Sequence, residues 1–200
     1  MNLSQVRHSA AQRSTQPVVR ILSRTRLTPN VLTLLGFVWS LIAAVVIAKG
    51  YLFGGGLLVL FSGAFDLFDG ALARAKGQST TFGAFLDSTL DRLSEAALLL
   101  GLLYWCVAQP STLEMWLIFI TLVGSASVSY TRARAESLGM KCEVGIFTRP
   151  ERVVVLGLGL LAGIHGVLIA LWIMAILTLV TLMQRIICVW QQAQKGGEKL

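Results

Sequence analysis

Residues 66–91 read DLFDGALARAKGQSTTFGAFLDSTLD and place four carboxylates in a chain that is otherwise strongly apolar. Asp66 and Asp69 are three residues apart, and Asp87 and Asp91 are four apart. Residues at these spacings share one face of a helix, so two adjacent helices would bring all four carboxylates to one point. Ionised groups at membrane depth are costly unless they are paired, bind metal or face water. The stretch therefore predicts a functional site that holds hard divalent cations.

The composition around this stretch is that of a membrane protein. The 200 residues are 55% hydrophobic and 14% charged, and the mean hydropathy of +0.72 is too high for an ordinary soluble domain. We therefore predict an all-α integral membrane protein with six transmembrane helices. The spans are predicted from six uncharged apolar runs: 31–48, 51–65, 96–107, 115–130, 153–164 and 166–183. Each run is near, or extendable through a polar end to, the roughly 20 residues that a spanning helix needs.

The positions of lysine and arginine predict the orientation. With six spans, nearly all of these residues fall on one face, and the opposite loops carry only Lys49. Positive charge marks the cytoplasmic side, so both termini should be cytoplasmic in a multi-pass protein of the cell membrane. The aspartates should then lie at the cytoplasmic ends of the second and third helices. The formal net charge of +7 suits anionic lipid rather than nucleic acid.

Three segments are predicted along the chain. Residues 1–29 should form a cytoplasmic N-terminal segment, in which residues 17–27 alternate apolar and basic side chains. This pattern suits a helix lying in the cytoplasmic interface, and a plain positively charged flank is the alternative. Pro29 disfavours a helical residue before it and so marks a break. Residues 30–193 should form the six-helix domain, and residues 194–200 a cytoplasmic tail.

The spacing of the aspartates also resembles a known signature. The pattern D-x2-D-G-x2-A-R-x8-G-x3-D-x3-D is similar to that of the CDP-alcohol phosphotransferases, integral membrane enzymes that join a CDP-linked lipid to a hydroxyl-bearing acceptor and release CMP. The stretch LTPNVLT at residues 27–33 resembles the entry of that family to its first helix. The fixed positions of the signature are filled here by Asp66, Asp69, Gly70, Ala73, Arg74, Gly83, Asp87 and Asp91.

The resemblance implies a site with two Mg²⁺ or Mn²⁺ ions. Two such ions would neutralise four aspartates, and a bound diphosphate would complete their coordination. The family assigns the first three aspartates to metal binding, and Asp91 as the general base that also touches metal. A homodimer is expected on the same ground. The residues expected to bind the CDP-linked lipid are Asn30, Asp66, Asp69, Gly70, Ala73, Arg74 and Gly83.

Arginines on the same membrane face form a candidate anion site. Ser129, Arg132, Arg149, Arg152 and Arg185 could converge beside the metals and bind an acceptor that already carries phosphate. A solvated positive rim is the alternative for any single arginine. The segments SYTRARAE (129–136), TRPER (148–152) and QR (184–185) resemble the branch that makes phosphatidylinositol phosphate from CDP-diacylglycerol and inositol 1-phosphate. That branch typically has lysine where Arg132 stands.

Three alternatives stay open. Glycerol 3-phosphate is the second candidate acceptor, as in phosphatidylglycerol phosphate synthases. A cation transporter lined by the aspartates belongs to a different class, and it is disfavoured because the acids cluster at one membrane face. Ion pairs at a helix start among Asp87, Asp91, Arg92 and Glu95 would leave Asp66 and Asp69 unexplained.

Overall fold

The computed structural model describes residues 28–77, 80–109, 112–142 and 144–196, which contain six helices. The predicted all-α class is confirmed for this part of the chain. The predicted interfacial helix at residues 17–27 lies outside the described residues. The helices are α1 (Pro29–Ala48), α2 (Leu52–Lys76), α3 (Thr81–Val107), α4 (Thr112–Ser137), α5 (Arg149–Leu161) and α6 (Gly163–Gly196).

Local chemistry sets the start of each helix that enters the site. Pro29 opens α1, where its fixed φ suits the first turn and no backbone donor is lost. Thr80 caps α3, because its hydroxyl accepts a hydrogen bond from the backbone N–H of Gly83 at 2.9 Å. At the start of α5, the carboxylate of Glu151 reaches back to accept from the backbone N–H of Thr148 at 2.8 Å.

Helices α5 and α6 form a tight antiparallel hairpin. Ala162 alone separates them, and Gly163 has a φ of +77°, a left-handed conformation that favours glycine. A side chain at Gly159 of α5 would collide with Gly166 and Ala170 of α6, so the two backbones approach closely. The predicted run 153–164 is therefore divided at this turn, and α6 runs to Gly196, past the predicted domain end at residue 193.

The six helices form a closed ring. Helix α1 packs on α2 and α3, α2 packs on α5, α5 on α6, and α6 on α4, while α3 and α4 touch less extensively. Because successive helices alternate in direction, one end of the bundle collects the starts of α1, α3 and α5 and the ends of α2, α4 and α6. All the predicted site residues lie towards this end, which we call the polar end.

The apolar core lies at the opposite end of the bundle. Leu99 of α3, Leu160 of α5 and Leu171 of α6 are fully buried there. A side chain at Gly101 would collide with the backbone of Ala44 in α1. Helix association in lipid depends on such close packing, since lipid tails are as apolar as the side chains. The tightly packed half thus supports the polar end, where side chains surround a cavity.

Four helices are long and apolar enough to cross a membrane: α1, α2, α4 and α6 over Gly163–Gln194. Their outer faces expose apolar side chains such as Val45, Phe61, Phe119 and Ile176, which a lipid environment accommodates. The chain is a helical multi-pass membrane protein. The prediction of six spans is met only in part, because the other two helices fall short for different reasons.

Helix α3 is long but carries Asp87, Asp91, Arg92 and Glu95 in its first half, so only residues 96–107 are a continuous apolar run. Helix α5 has 13 residues, about 20 Å at the rise of an α-helix. The hydrocarbon core is roughly 30 Å thick. The run 153–164, which predicts one of the six spans, therefore corresponds to α5, the short arm of the hairpin.

Candidate active site

The four aspartates of residues 66–91 meet at the polar end. Asp66 and Asp69 lie on α2, and Asp87 and Asp91 lie on the first half of α3. Each carboxylate is close enough to interact electrostatically with the other three. The carboxylates converge as helical spacing predicts, and they do so because α2 and α3 both pack on α1.

Asp69 is the most deeply held of the four. Its side chain is only 4% exposed, and Thr33 of α1 donates a hydrogen bond from its hydroxyl to Oδ2 at 2.7 Å. The backbone N–H of Gly70 donates to Oδ1. Both oxygens therefore have a fixed direction, as ligands supported by a second layer of contacts do. Sequence reasoning did not single out Thr33, although it ends the stretch 27–33 that resembles the family.

Arg149 lies between two of the aspartates. Its Nη1 atom is 2.8 Å from Oδ2 of Asp66 and 2.7 Å from Oδ1 of Asp91. These pairs connect the first residue of α5 to both α2 and α3, and they compensate two partly buried negative charges. Within the described residues, Nε of Arg149 is buried without a hydrogen-bond partner. Arg149 also borders a cavity of about 10 Å³, room for about one water molecule.

The donor set fits a hard divalent cation. Carboxylate oxygens are the ligands that Mg²⁺ and Mn²⁺ prefer, and four aspartates balance the charge of two such ions. Among the described residues, no three acidic, histidine or cysteine side chains already form a ligand cluster. The guanidinium of Arg149 holds Asp66 and Asp91 in this structure, so an ion would have to take over those oxygens from it.

The residues predicted to bind the CDP-linked lipid lie at the start of α1, on the last turns of α2 and at the start of α3. A side chain at Gly83 would come within 3.0 Å of Oδ1 of Asn30, so these two positions adjoin. At Gly70 an added Cβ would meet only Nη1 of Arg74, at 3.6 Å, among the described residues. Packing among the described helices therefore does not explain Gly70, and the space beside it, next to Asp69, leaves room for a ligand. Ala73 lies half-buried on α2, beside the exposed Arg74.

A larger cavity opens on the other side of the aspartates. Its volume is about 750 Å³, and it lies between α3, α4, the start of α5 and α6. This size is ordinary for a small-molecule site. It lies between α3 and α4, the neighbouring helices of the ring with the least extensive contact. The cavity brings the predicted acceptor residues together with two aspartates: its wall includes Asp87, Asp91, Ser129, Arg132, Arg149, Arg152 and Arg185.

Arg185 is buried in this wall without a carboxylate. The residue is 4% exposed, and its guanidinium donates to the backbone carbonyls of Val144 at 3.0 Å and Val128 at 2.5 Å. In the described part of the chain it takes part in no ion pair. A Cβ added at Gly145, whose φ is +146°, would lie 3.6 Å from Nε and Nη2 of Arg185, so this segment runs beside the guanidinium. A buried, oriented cation of this kind is a favourable partner for an anion.

Arg132 and Arg152, like Arg149, have acidic partners. Arg132 pairs with Glu136 one turn later on α4 at 2.8 Å, and both side chains are about half exposed. Arg152 is buried and pairs with Glu95 of α3. Since Asp91 and Glu95 take their partners from α5, the alternative of ion pairs confined to the start of α3 does not describe this site.

Comparison with known proteins identifies the family. The sequence matches the CDP-alcohol phosphatidyltransferase family over residues 26–192, which includes all four aspartates and the cavity arginines. The chain belongs to this family. The prediction of a metal-using transferase acting on a CDP-linked substrate is thereby confirmed at the level of the family.

Relatives within the CDP-alcohol phosphatidyltransferases include synthases of phosphatidylinositol phosphate and of archaetidylinositol phosphate. Phosphatidylinositol phosphate synthase from Mycobacteroides abscessus is 38% identical, over 86% of this chain and 81% of that protein. Archaetidylinositol phosphate synthase from Methanothermobacter thermautotrophicus is 39% identical, over 88% of this chain and 93% of that protein.

Solved structures agree with this membership. The crystal structure of Mycobacterium tuberculosis phosphatidylinositol phosphate synthase with CDP-DAG bound has a TM-score of 0.79 and 37% identity, over 89% of this chain and 94% of that chain. The same enzyme has been crystallised in complex with manganese and citrate, with a TM-score of 0.79 over 88% of each chain. The CDP-alcohol phosphatidyltransferase fold thus extends over nearly all the described residues.

Proposed function

We propose that this CDP-alcohol phosphatidyltransferase moves the lipid-phosphoryl group of a CDP-linked lipid onto inositol 1-phosphate and releases CMP. The observation that carries the choice of acceptor is Arg185, a buried cation without a carboxylate partner among the described residues. It shares a cavity with Asp87 and Asp91. The names of the relatives, which include phosphatidylinositol and archaetidylinositol phosphate synthases, support the same acceptor.

The reaction would be a displacement at phosphorus. Asp91 accepts the proton of the acceptor hydroxyl, whose oxygen attacks the lipid-side phosphorus while the bond to the CMP oxygen breaks. Asp66, Asp69, Asp87 and Asp91 would hold Mg²⁺ or Mn²⁺, which when bound supplies charge stabilisation for the phosphoryl oxygens. Asn30, Gly70, Ala73, Arg74 and Gly83 would bind the CDP-linked lipid on the α1 side.

Arg185, Arg132, Arg149 and Ser129 would hold the phosphate of the acceptor in the 750 Å³ cavity. Charged hydrogen bonds to phosphate are strong and directional, and the guanidinium fork fits phosphate geometry. Arg152, predicted to act with them, directs its fork towards Glu95. An acceptor phosphate there would place the inositol hydroxyl towards Asp91, which lines the same cavity.

Arg185→Gln should raise the acceptor KM about ten-fold to over a hundred-fold and change the CDP-lipid KM little. A charged hydrogen bond is worth roughly 1.5 to 3 kcal/mol, and glutamine removes the charge that binds phosphate. Arg185→Lys should recover part of this loss, because lysine keeps charge but lacks the fork. The measurement is CMP release by purified protein with CDP-diacylglycerol, with inositol 1-phosphate, inositol and glycerol 3-phosphate offered separately.

Arg134→Gln is the matched control. Arg134 is exposed on α4 next to the cavity residue Ala133, but it does not line the cavity itself, so its loss should leave the acceptor KM unchanged. Equal shifts of the acceptor KM in Arg185→Gln and Arg134→Gln would indicate that the arginines form only a solvated positive rim that orients the protein in the membrane. Transfer to free inositol as fast as to inositol 1-phosphate would defeat the phosphate pocket. Preference for glycerol 3-phosphate would favour the alternative acceptor, and ion flux without CMP release would favour a transporter.

We also propose that all six helices cross the cell membrane, with both termini and the polar end in the cytoplasm. By length and composition alone, neither α3 nor α5 qualifies as a spanning helix. The apolar second half of α3 would provide one further crossing, and α5, as the short arm of the α5–α6 hairpin, would provide the other. In a variant without Cys106, Cys142 and Cys188, Lys49→Cys should react with an impermeant thiol reagent from outside and Arg134→Cys only after the membrane is opened. The reverse pattern would overturn the orientation.

A homodimer stays a prediction, which light scattering of the detergent-solubilised protein tests.

A further inference from the structure

A fifth acid lies one helical turn beyond Asp91. Glu95 of α3 is 7% exposed, and its carboxylate accepts from Nε of Arg152 at 2.6 Å and from Nη2 at 2.9 Å. Arg152 is 2% exposed, and its third nitrogen, Nη1, donates to the carbonyl of Phe147 at 3.5 Å. Such a two-pronged pair has defined geometry as well as charge.

This pair stands directly beside the reacting groups. On α3, Asp91 and Glu95 are four residues apart, and on α5, Arg149 and Arg152 are three apart, so each set shares a helix face. Arg149 contacts Asp91 at 2.7 Å and Arg152 contacts Glu95 at 2.6 Å. The two ion pairs therefore form consecutive contacts between the same two helices, and both border the cavity, with Glu95 and Arg152 the more deeply buried pair.

The more deeply buried pair also fixes the segment before α5. Nη1 of Arg152 lies 3.5 Å from the carbonyl oxygen of Phe147, the residue before Thr148. The backbone N–H of Thr148 donates to Glu151 at 2.8 Å. The backbone N–H of Phe147 donates to the hydroxyl of Thr181 on α6 at 3.2 Å. The position of Arg149 thus depends on contacts with α3 and α6 that lie deeper than the site itself.

We propose that Glu95 and Arg152 are a positioning pair that holds the start of α5, and with it Arg149, between the aspartates and the cavity, and that Arg152 acts through Glu95 instead of binding the acceptor phosphate. This inference rests on the proposed phosphoryl transfer. A buried ion pair whose partners satisfy each other is tolerated, whereas removal of one partner leaves an uncompensated charge. A glutamate bonded to Arg152 would also weaken any phosphate contact of that arginine.

The two roles predict opposite effects for Glu95→Gln. If Arg152 binds phosphate, loss of the competing carboxylate should lower the acceptor KM. If the pair positions Arg149, Glu95→Gln and Arg152→Gln should each lower kcat, by about ten-fold to a hundred-fold, since small displacements of reacting groups have effects of that size. The double variant Glu95→Gln/Arg152→Gln carries no unpaired charge, and it should recover most of kcat because two amides can bond to each other.

The experiment is this double-mutant cycle, measured as CMP release with the phosphorylated acceptor that the wild type uses. Rates are expressed per molecule that binds CDP-diacylglycerol, so misfolded protein does not contribute, and melting temperatures are recorded in parallel. Glu95→Asp and Arg152→Lys supply milder variants if the glutamine variants do not fold. Glu114→Gln, an acid in the first turn of α4 far from the cavity, is the control and should leave kcat unchanged.

Recovery in the double variant, with no gain in acceptor affinity for Glu95→Gln, supports the positioning pair. Additive losses, or a lower acceptor KM in Glu95→Gln together with a higher one in Arg152→Gln, overturn it. Loss of melting temperature with normal kcat per binding-competent molecule also overturns it, because the pair would then serve stability alone. Failure of the wild type to release CMP with any phosphorylated acceptor refutes the proposed function instead, whatever the variants do.

Discussion

Asp69→Asn should abolish turnover, with a fall in kcat of about a thousand-fold or more, and Asp66→Asn and Asp87→Asn should behave alike. Each change removes one ligand charge from the group of aspartates while it preserves side-chain shape. Stabilisation of phosphoryl charge by metal is worth several kcal/mol, and each 1.36 kcal/mol is about ten-fold in rate. Asp69 is the strictest test, because Thr33 and the backbone of Gly70 fix both of its oxygens.

The measurement combines Mn²⁺ binding, followed by the loss of the free-ion paramagnetic resonance signal, with CMP release. Asp69→Asn should bind Mn²⁺ far more weakly than the wild type. Thr33→Val is a graded companion, because it keeps all four aspartates and removes the hydroxyl that contacts Asp69 at 2.7 Å and the carbonyl of Pro29 at 3.1 Å. Contacts that orient a ligand are worth about 10- to 100-fold in metal affinity or activity. Full activity of the wild type in excess chelator would end the two-metal interpretation.

Asp91→Asn should separate chemistry from binding. If Asp91 is mainly the base, the amide variant keeps Mn²⁺ and CDP-lipid binding near wild-type levels and loses about 10²- to 10⁴-fold in kcat. Three aspartates, Asp66, Asp69 and Asp87, remain to hold the metal in this variant. Binding of CDP-diacylglycerol is measured by calorimetry in detergent, and transfer by CMP release.

Thr89→Val is the matched control for this change. Thr89 lies between Asp87 and Asp91 on α3, and its hydroxyl donates to the carbonyl of Phe85 at 2.8 Å. It does not line the 750 Å³ cavity, so the variant should transfer normally. If Asp91→Asn lost Mn²⁺ and nucleotide binding as completely as Asp66→Asn, Asp91 would be an obligate ligand and the proton would need another acceptor.

Glu95 shows where sequence reasoning reached its limit. The sequence shows the acid, and spacing within one helix pairs it only with neighbours at the start of α3. Its partner Arg152 is 57 residues away in the chain, and it was assigned instead to the acceptor phosphate. Glu95 is four residues from Asp91, and Arg152 is three residues from Arg149, so each pair shares a face of its own helix. Spacing within one helix does not indicate which arginine of another helix a carboxylate contacts.

The length of the helices shows a related limit. Uncharged runs correctly located the apolar part of every described helix, because hydropathy is a property of consecutive residues. Helix α5 is nevertheless a 13-residue arm, since Ala162 and the left-handed Gly163 reverse the chain. The run 153–164 gave no sign of this reversal, because the residues that follow the turn are as apolar as those before it.

The sequence by itself determined the helical membrane class, the family and the four aspartates that meet. These follow from composition, fixed spacing and helical periodicity, which are local properties. Only the tertiary structure decided which charge each arginine meets: Arg149 contacts Asp66 and Asp91, Arg152 contacts Glu95, and Arg185 is held by backbone carbonyls. The physical reason is that these partners lie on separate helices, and the packing of the whole ring determines which helix faces meet.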